Sequence, residues 1–173
     1  MAGSGRPMAP ERYGKYNLLE RIGVGGMAEV YRARSRQSGG RLYAVKCMRS
    51  QLAKEARFVE MFVREGKLGM TLRHQNVVSM LAVGQDAKTG QYYLVMELVP
   101  GEALSAILER ERVLPTDKVL DIVAQTAMAL QAAHAAGLVH GAGVDLEPVF
   151  AGFVVRPAHK GGATHRSEEH TSE

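Results

Sequence analysis

The fold is decided by one stretch, Ile22-Gly23-Val24-Gly25-Gly26-Met27-Ala28-Glu29-Val30-Tyr31, and by Ala44-Val45-Lys46, which follows it after a turn. The glycine-rich run lies between two strand-like runs, and the lysine lies on a third apolar run. Glycine lets backbone N–H groups approach a phosphate closely and tolerates positive φ. A lysine on a neighbouring strand adds a point charge for phosphates. The combination suits a nucleotide triphosphate.

A glycine-rich run by itself also fits a dinucleotide site, so the residues after it decide between the two. A dinucleotide-binding fingerprint opens a helix directly after the glycines, whereas residues 30–34 alternate with period two, as a strand does. Residues 38–40 then predict a turn, and residues 42–45 a further strand. A Walker A loop is excluded because no lysine followed by Ser or Thr closes the run. The prediction is a β-hairpin flap over phosphates, with Lys46 on the third strand.

With this arrangement the chain resembles protein kinases, most of all the bacterial serine/threonine kinases whose glycine loop has the form I-G-x-G-G-M-x-E-V-Y. Ala28 stands where the third glycine usually lies, and alanine would cost about 1 kcal/mol if that position required positive φ. The resemblance runs from about Tyr13 to His140. It implies an α+β fold, in which a five-stranded antiparallel sheet with one long helix between its third and fourth strands is followed by the first helices of an incomplete helical C-lobe.

The long helix is predicted from apolar residues that recur at spacings of three and four and that include one carboxylate. These residues are Phe58, Met61, Phe62, Glu65, Leu68 and Leu72. An isolated buried charge is costly, so on spacing alone Glu65 is either a solvated residue at the edge of the stripe or one member of an ion pair. The resemblance implies the second alternative, with Lys46 as the partner.

Downstream segments continue in the order of the family. Residues 72–78 are similar to its H-P-N-I-V segment, which makes His74 a structural hydrogen-bonding residue. Residues 78–83 and 91–98 predict two strands with a turn over 86–90 between them, and residues 103–111 and 116–136 predict helices. Thr116 is the predicted N-cap of the second helix. Its predicted apolar face comprises Val119, Leu120, Val123, Ala127, Leu130 and His134.

The resemblance assigns an ATP site to residues upstream of position 100. Met96 would be the gatekeeper, the Glu97 carbonyl would accept from the adenine amine, and the Val99 N–H would donate to the ring. Val30 and Ala44 would form an apolar roof over adenine. The complete set of expected cofactor-binding residues is Ile22, Gly23, Val24, Gly25, Gly26, Met27, Ala28, Val30, Ala44, Lys46, Glu65, Met96, Glu97 and Val99.

The resemblance ends at the catalytic loop, where the family has H-R-D-x-K-P-x-N. His140 matches the histidine of that motif if the alignment continues from the preceding helix, but Gly141 and Ala142 then replace the arginine and the aspartate. Anchoring on Asp145 and Pro148 instead makes Asp145 a weak catalytic candidate. Both registers lose the lysine and the magnesium-binding asparagine, and D-F-G is missing from the sequence. We therefore expect no metal site in this chain, Mg²⁺ only in a full-length enzyme, and no useful phosphoryl transfer here.

The predicted organisation is a flexible leader (1–12), a kinase N-lobe with hinge (13–99), a partial C-lobe ending at a degenerate catalytic loop (100–150) and a disordered or artefactual tail (151–173). Residues 166–173 resemble a common sequencing adapter translated in frame, and a natural polar disordered tail is the alternative. Truncation explains the loss of the motifs better than adaptation does. The true sequence after about residue 140 is therefore in question.

Composition excludes several classes of protein. The net charge of +4 is spread along 173 residues without a basic block, so no nucleic-acid partner is expected. No apolar run is long enough for a membrane span, and residues 1–12 lack the apolar segment of a signal peptide. The single cysteine, Cys47, follows Lys46 on a strand, which predicts a small core residue rather than a reactive thiol. A lone cysteine also fits a reducing cytoplasm.

Three functions are compatible with these patterns. The first is the ATP-binding part of a serine/threonine protein kinase, whose protein substrate is unknown. The second is a pseudokinase-like module that binds a nucleotide or a partner without catalysis. The third is a non-enzymatic interaction domain with an empty pocket.

Overall fold

A computed structural model describes residues 12–37 and 39–137. The predicted leader up to residue 11, the catalytic-loop candidates His140 and Asp145, and the predicted tail lie outside the described residues. Six strands and three α-helices follow one another along this part of the chain: β1 Arg12–Tyr13, β2 Tyr16–Val24, β3 Ala28–Ser35, β4 Leu42–Met48, α1 Ala56–Thr71, β5 Met80–Gln85, β6 Tyr92–Glu97, α2 Leu104–Glu111 and α3 Thr116–Ala135. A short 3₁₀ turn, Leu52–Lys54, precedes α1.

The strands form one antiparallel sheet in the order β1-β2-β3-β4-β6-β5. All five predicted strands are present, and α1 lies between the third and fourth of them in sequence, as expected. The two-residue strand β1 is an addition, so Arg12, assigned to the leader from the sequence, pairs with Asn17 at the edge of the sheet. The strand predicted over 78–83 is displaced by two residues, to Met80–Gln85.

The two faces of the sheet carry separate hydrophobic clusters, because side chains alternate between the faces of a strand. One face packs against α1, and its fully buried residues include Phe62 from the helix and Leu94 from β6. The other face is rich in tyrosine, and Tyr13, Tyr16 and Tyr93 meet there in edge-on ring contacts with centroids 5.6 and 6.0 Å apart. Cys47 lies in this second cluster, 7% exposed, as a small core residue on the face opposite to Lys46.

Helix α3 packs against the segment that links α1 to β5, through Leu72 and Val77. The predicted apolar face of this helix is not the face that packs against the described residues. Its buried residues are Gln125, Ala129 and Ala133, whereas Leu120 and Val123 are 64% and 58% exposed. The amide of Gln125 faces this segment, and its Oε1 accepts a buried hydrogen bond from Asn76 Nδ2 at 2.5 Å.

The start of α3 also differs from the sequence-based prediction. Pro115 occupies the N-cap position and no side chain caps the helix, so Thr116 is its first residue and not its N-cap. His74 has the predicted structural role, since its Nδ1 accepts from the Asn76 N–H at 3.2 Å. Within residues 12–37 and 39–137, no helix is long and apolar enough to cross a membrane.

Candidate active site

Lys46 and Glu65 form an ion pair between the sheet and α1. Lys46 Nζ lies 2.7 Å from Glu65 Oε1, and the two side chains are 17% and 15% exposed. Helix α1 places Glu65 one turn after Phe62, which packs its ring into the core, and Lys46 Nζ lies 5.8 Å from the centroid of that ring. The structure thus confirms the predicted contact and resolves the alternative left open by residue spacing, because Glu65 faces the sheet.

Strands β2 and β3 form a hairpin whose tip is the glycine-rich turn. The Gly25 N–H donates to the Ala28 carbonyl at 2.9 Å, and the Arg49 N–H donates to the Met27 carbonyl at 3.1 Å, which ties the turn to the end of β4. The chain continues from the turn as strand β3. A dinucleotide-binding fingerprint requires a helix there, so that alternative is excluded.

The glycines of the turn are not required by backbone conformation. Positive φ among the described glycines is found elsewhere, at Gly14 and Gly90 for example, and not at Gly23, Gly25 or Gly26. A Cβ added to Gly26 would meet no heavy atom within 4 Å. The chain therefore leaves open space at this position, as the approach of a ligand to the backbone would need.

Ala28 causes no strain at the position where the third glycine was expected. It is 3% exposed, has no positive φ and packs against Met48, Phe62 and Leu94. The cost of about 1 kcal/mol considered from the sequence therefore does not arise, since it applied only to a left-handed backbone.

The register of the strands brings the predicted roof residues to one face. Val30 is paired with Lys46, and Ala44 is paired with Met96. Because paired residues share a face and alternate residues return to it, these four side chains lie on the same side of the sheet, next to the ion pair. They outline a slot that is apolar except for the lysine.

Two predicted site residues are not brought into this slot. Val24 is paired with Glu29, so it lies on the face opposite to Val30, and it is 59% exposed. Ile22 lies at a register shift between Arg21 and Gly23 and is 48% exposed. The shift adds one residue to β2, a β-bulge that alternation in the sequence does not reveal.

The predicted hinge begins at the last residue of β6. Its first residue, Glu97, is tied to Ser79 twice, because the Ser79 N–H donates to Glu97 Oε1 at 3.1 Å and the Glu97 N–H donates to the Ser79 carbonyl at 3.0 Å. Leu98 and Val99 are half-buried and have no regular secondary structure. The hinge backbone is thus held in place by side-chain and backbone contacts on the β5 side.

A charged cluster on the outer face of the flap was not predicted from the sequence. Glu29 accepts from Tyr31 Oη at 2.6 Å and from Arg21 Nη1 at 3.2 Å. The hydrogen bond from Tyr31 is the main cause that lowers the pKa of Glu29, and the same bond raises the pKa of Tyr31 to about 12. The available signal was the presence of polar or charged residues at alternate positions of a predicted strand, as at Glu29 and Tyr31. We call Arg21, Glu29 and Tyr31 the outer cluster.

Metal ligands are not gathered anywhere in the described part of the chain. No group of three or more His, Cys, Asp or Glu side chains lies there in an arrangement that could hold a metal ion.

Comparison with known protein families shows to which family the chain belongs. The family model described as "Protein kinase domain" matches residues 16–146, which is most of the chain. The chain belongs to the protein kinase family. Its kinase relatives include serine/threonine-protein kinase PknA of Mycobacterium tuberculosis (strain H37Rv), 40% identical over 130 residues, and serine/threonine-protein kinase pkn3 of Myxococcus xanthus, 40% identical over 134 residues.

These alignments cover 73% and 78% of this kinase chain but only 30% and 24% of the relatives. Among solved structures, the PknI kinase domain of Mycobacterium tuberculosis is similar with a TM-score of 0.62 and 28% identity, over 76% of this chain and 54% of that one. The kinase chain thus spans less than a third of the length of these curated relatives and about half of that solved kinase domain.

Proposed function

We propose that residues 22–99 form the ATP-binding part of a serine/threonine protein kinase. The Lys46–Glu65 ion pair is the observation that carries this proposal. It fixes an ammonium group on the same face of the sheet as Val30 and Ala44. A half-buried lysine fixed by a carboxylate is a preorganised partner for phosphate oxygens.

Each part of the site has a separate task in this proposal. The Glu97 carbonyl and the Val99 N–H bind the edge of adenine, and Val30 and Ala44 cover its ring. The flap supplies backbone N–H groups to phosphates. Lys46 contributes charge, and Glu65 keeps that charge aimed into the site. For a full-length enzyme we propose phosphoryl transfer from ATP, with Mg²⁺, to protein hydroxyls in a reducing cytoplasm.

We further propose that the chain with this sequence binds ATP without transferring phosphate. Residues 140–150 read His-Gly-Ala-Gly-Val-Asp-Leu-Glu-Pro-Val-Phe, so the aspartate and the asparagine are not found together at the family's spacing. A positioned general base contributes about 10²–10⁴ in rate. Phosphoryl transfer depends on positioning and electrostatics, which makes the combined loss severe. The pseudokinase-like function differs from a truncated enzyme only in what the native gene encodes after position 140.

Calorimetric titration of the 173-residue chain with ATP tests binding. We expect weak, magnesium-insensitive binding that Lys46→Met abolishes and that Lys67→Met, a change at an exposed lysine on α1, leaves intact. At ten times Kd, ATP would stabilise the folded state by about 1.4 kcal/mol, so a thermal shift provides an independent readout. Wild-type protein that shows neither heat nor shift would refute ATP binding and favour an interaction domain.

Incubation with γ-labelled ATP tests catalysis separately. We expect no label in the protein or in a generic substrate such as myelin basic protein. Incorporation of label that Lys46→Met abolishes would show that residues 140–150 support catalysis. Sequencing of the native gene beyond codon 140 then distinguishes an enzyme, which would have H-R-D and D-F-G, from a pseudokinase.

A further inference from the structure

Glu29 lies next to the proposed phosphate site but on the other side of the sheet. It precedes Val30 on β3, and Val30 is paired with Lys46. Adjacent residues of a strand point to opposite faces. Glu29 therefore faces away from the slot and cannot touch a nucleotide bound there, so any effect that it has on the site acts through the backbone of the flap.

The outer cluster joins the two strands of the flap at its tip. Arg21 on β2 is directly opposite Tyr31, and its guanidinium reaches diagonally to Glu29 at 3.2 Å. Tyr31 donates to the second carboxylate oxygen of Glu29 at 2.6 Å. Charge-assisted hydrogen bonds are roughly twice as strong as neutral ones. Tyr31 lies on the same strand as Glu29, so the contact from Arg21 is the one that restrains the two strands relative to each other.

The same contacts span the bulge in β2. The register moves by one residue between Arg21 and Gly23, so Gly23 is opposite Val30 and Val24 is opposite Glu29. Bulges turn side chains and bend strands next to functional sites. Arg21 lies before this bulge and Glu29 lies beyond the turn, which means that their ion pair closes the loop that contains the bulge and the glycines.

The end of β4 supports the cluster from a third strand. The Arg49 N–H donates to the Met27 carbonyl at 3.1 Å, directly within the glycine turn. The positive charge of Arg49 also helps to lower the pKa of Glu29, after the larger contributions of the Tyr31 hydrogen bond and Arg21. The carboxylate is therefore ionised at neutral pH and surrounded by two cations and a phenol.

We propose that Glu29 is a positioning residue for the phosphate end of the nucleotide site: with Arg21 and Tyr31 it fixes the bulged register of the flap, so that the glycine turn between Gly23 and Ala28 stays over the phosphates. This inference rests on the proposed ATP-binding function. It concerns mainly the phosphates, because the side chains of the outer cluster face away from the slot and restrain the turn, although Val30 of the adenine roof lies between Glu29 and Tyr31 on β3.

The chain contains a matched control. Glu20 and Arg32 join β2 and β3 by an ion pair of 2.8 Å, and their side chains are 58% and 42% exposed. This pair also connects β2 and β3, but it lies farther from the turn, after another register shift of β2, and on the slot face of the sheet, because Arg32 is opposite Ala44. Glu29→Gln and Glu20→Gln therefore remove the same charge from the same hairpin at two distances from the proposed phosphate site.

The experiment compares ATP with adenosine, which lacks phosphates, on the 173-residue chain. We expect Glu29→Gln to weaken ATP binding about fivefold, in line with the loss of a partly exposed ion pair and of strength in one charged hydrogen bond. Adenosine affinity should change much less, and any effect of Glu20→Gln, whose partner Arg32 is opposite Ala44, should fall equally on ATP and adenosine. The charge exchange Arg21→Glu with Glu29→Arg should restore part of the ATP affinity.

Hydrogen–deuterium exchange on the nucleotide-free chain gives a second readout. Glu29→Gln should speed exchange at the Gly25 amide, which donates to Ala28, whereas Glu20→Gln should not. Unchanged exchange, or equal losses of ATP and adenosine affinity, would overturn the inference and leave ATP binding in place. Wild-type protein that binds neither ligand would overturn the proposed function, and this inference with it.

Discussion

Gly66 of α1 and Leu94 of β6 are in direct contact, with no room between them for another atom. A Cβ on Gly66 would lie 2.4 Å from Leu94 Cδ2 and 2.6 Å from Val83 Cγ2. Real Cβ atoms do not approach so closely, and Leu94 is fully buried. The helix therefore lies as near to the sheet as its backbone allows. Gly66 follows Glu65, so this contact also sets the reach of the carboxylate towards Lys46.

Gly66→Ala should weaken ATP binding although it improves the helix. Alanine favours a helix interior by about 1 kcal/mol over glycine, but its methyl group would push α1 outwards and lengthen the Lys46–Glu65 contact. Gly69→Ala is the matched control, because its Cβ would meet Met80, an unbranched side chain that can move aside. Titration with ATP compares the two, and equal affinities would show that helix position does not control the site.

Replacing the Lys46–Glu65 ion pair should affect the unfolding free energy and ATP binding differently. Lys46→Met alone leaves the Glu65 carboxylate with 15% exposure and without its partner, which should cost about 1–3 kcal/mol of unfolding free energy. Adding Glu65→Leu removes the unpaired charge, and apolar replacement of a whole buried pair is often neutral or stabilising. Urea unfolding should thus show recovery in the double variant while ATP binding stays absent. A double variant less stable than Lys46→Met would contradict this account.

Asp86 should make stability fall in acid. It is 4% exposed and accepts from the Gly14 N–H at 2.8 Å and from the Thr89 N–H and hydroxyl, both at 2.9 Å. The Gly14 hydrogen bond is the largest cause that lowers its pKa. A lowered carboxyl pKa contributes stability that is fully present above the unfolded value of about 4 and is lost as pH falls through the folded value.

Asp86→Asn should therefore lower the unfolding free energy at pH 7 by about 2 kcal/mol, the value of hydrogen bonds to a charged group. The loss should shrink as pH falls below about 4. Urea titrations of both proteins between pH 7 and pH 3 check the slope, with Glu60→Gln on the exposed side of α1 as control. Parallel pH profiles for wild type and Asp86→Asn would contradict the assignment.

Gln125 should orient α3 through its buried contact with Asn76. Gln125→Leu keeps the volume and the helix propensity but leaves the Asn76 amide without that acceptor, so we expect a loss of about 1–2 kcal/mol in unfolding free energy. Gln131→Leu, on an exposed position of the same helix, should change stability much less. Chemical denaturation compares the variants, and a more stable Gln125→Leu protein would show that apolar packing, not the amide, holds this helix.

The sheet and α1 could be predicted because local patterns agree with the tertiary contacts there. Period-two alternation in residues 28–35 and three-to-four spacing in residues 56–71 survive in the fold, and the motif order of the family supplied the partner of Glu65. Residue spacing alone did not identify Lys46 as that partner. Strand β1 escaped prediction because two residues carry no period, and their pairing depends on the long-range contacts of Tyr13 with Tyr93 and of Gly14 with Asp86.

The buried face of α3 could not be predicted because hydrophobicity gives the wrong answer there. Leu120 and Val123 are apolar and exposed, yet the helix turns the amide of Gln125 and the small side chains of Ala129 and Ala133 towards residues 72–77. A buried hydrogen bond between two amides lies on the face that packs, and neither amide has a sequence signature. The bulge at Ile22 was missed for a similar reason, since one inserted residue leaves the pattern on either side intact.

The position of Cys47 gives the molecule a built-in reporter. Its thiol is the single one in the chain, and it lies in the tyrosine-lined core on the face opposite to Lys46. A thiol reagent can reach it only when the strands separate, and the reagent would not occupy the nucleotide side. The rate of alkylation would therefore time the opening of the sheet in native buffer, with and without nucleotide, without any engineered label.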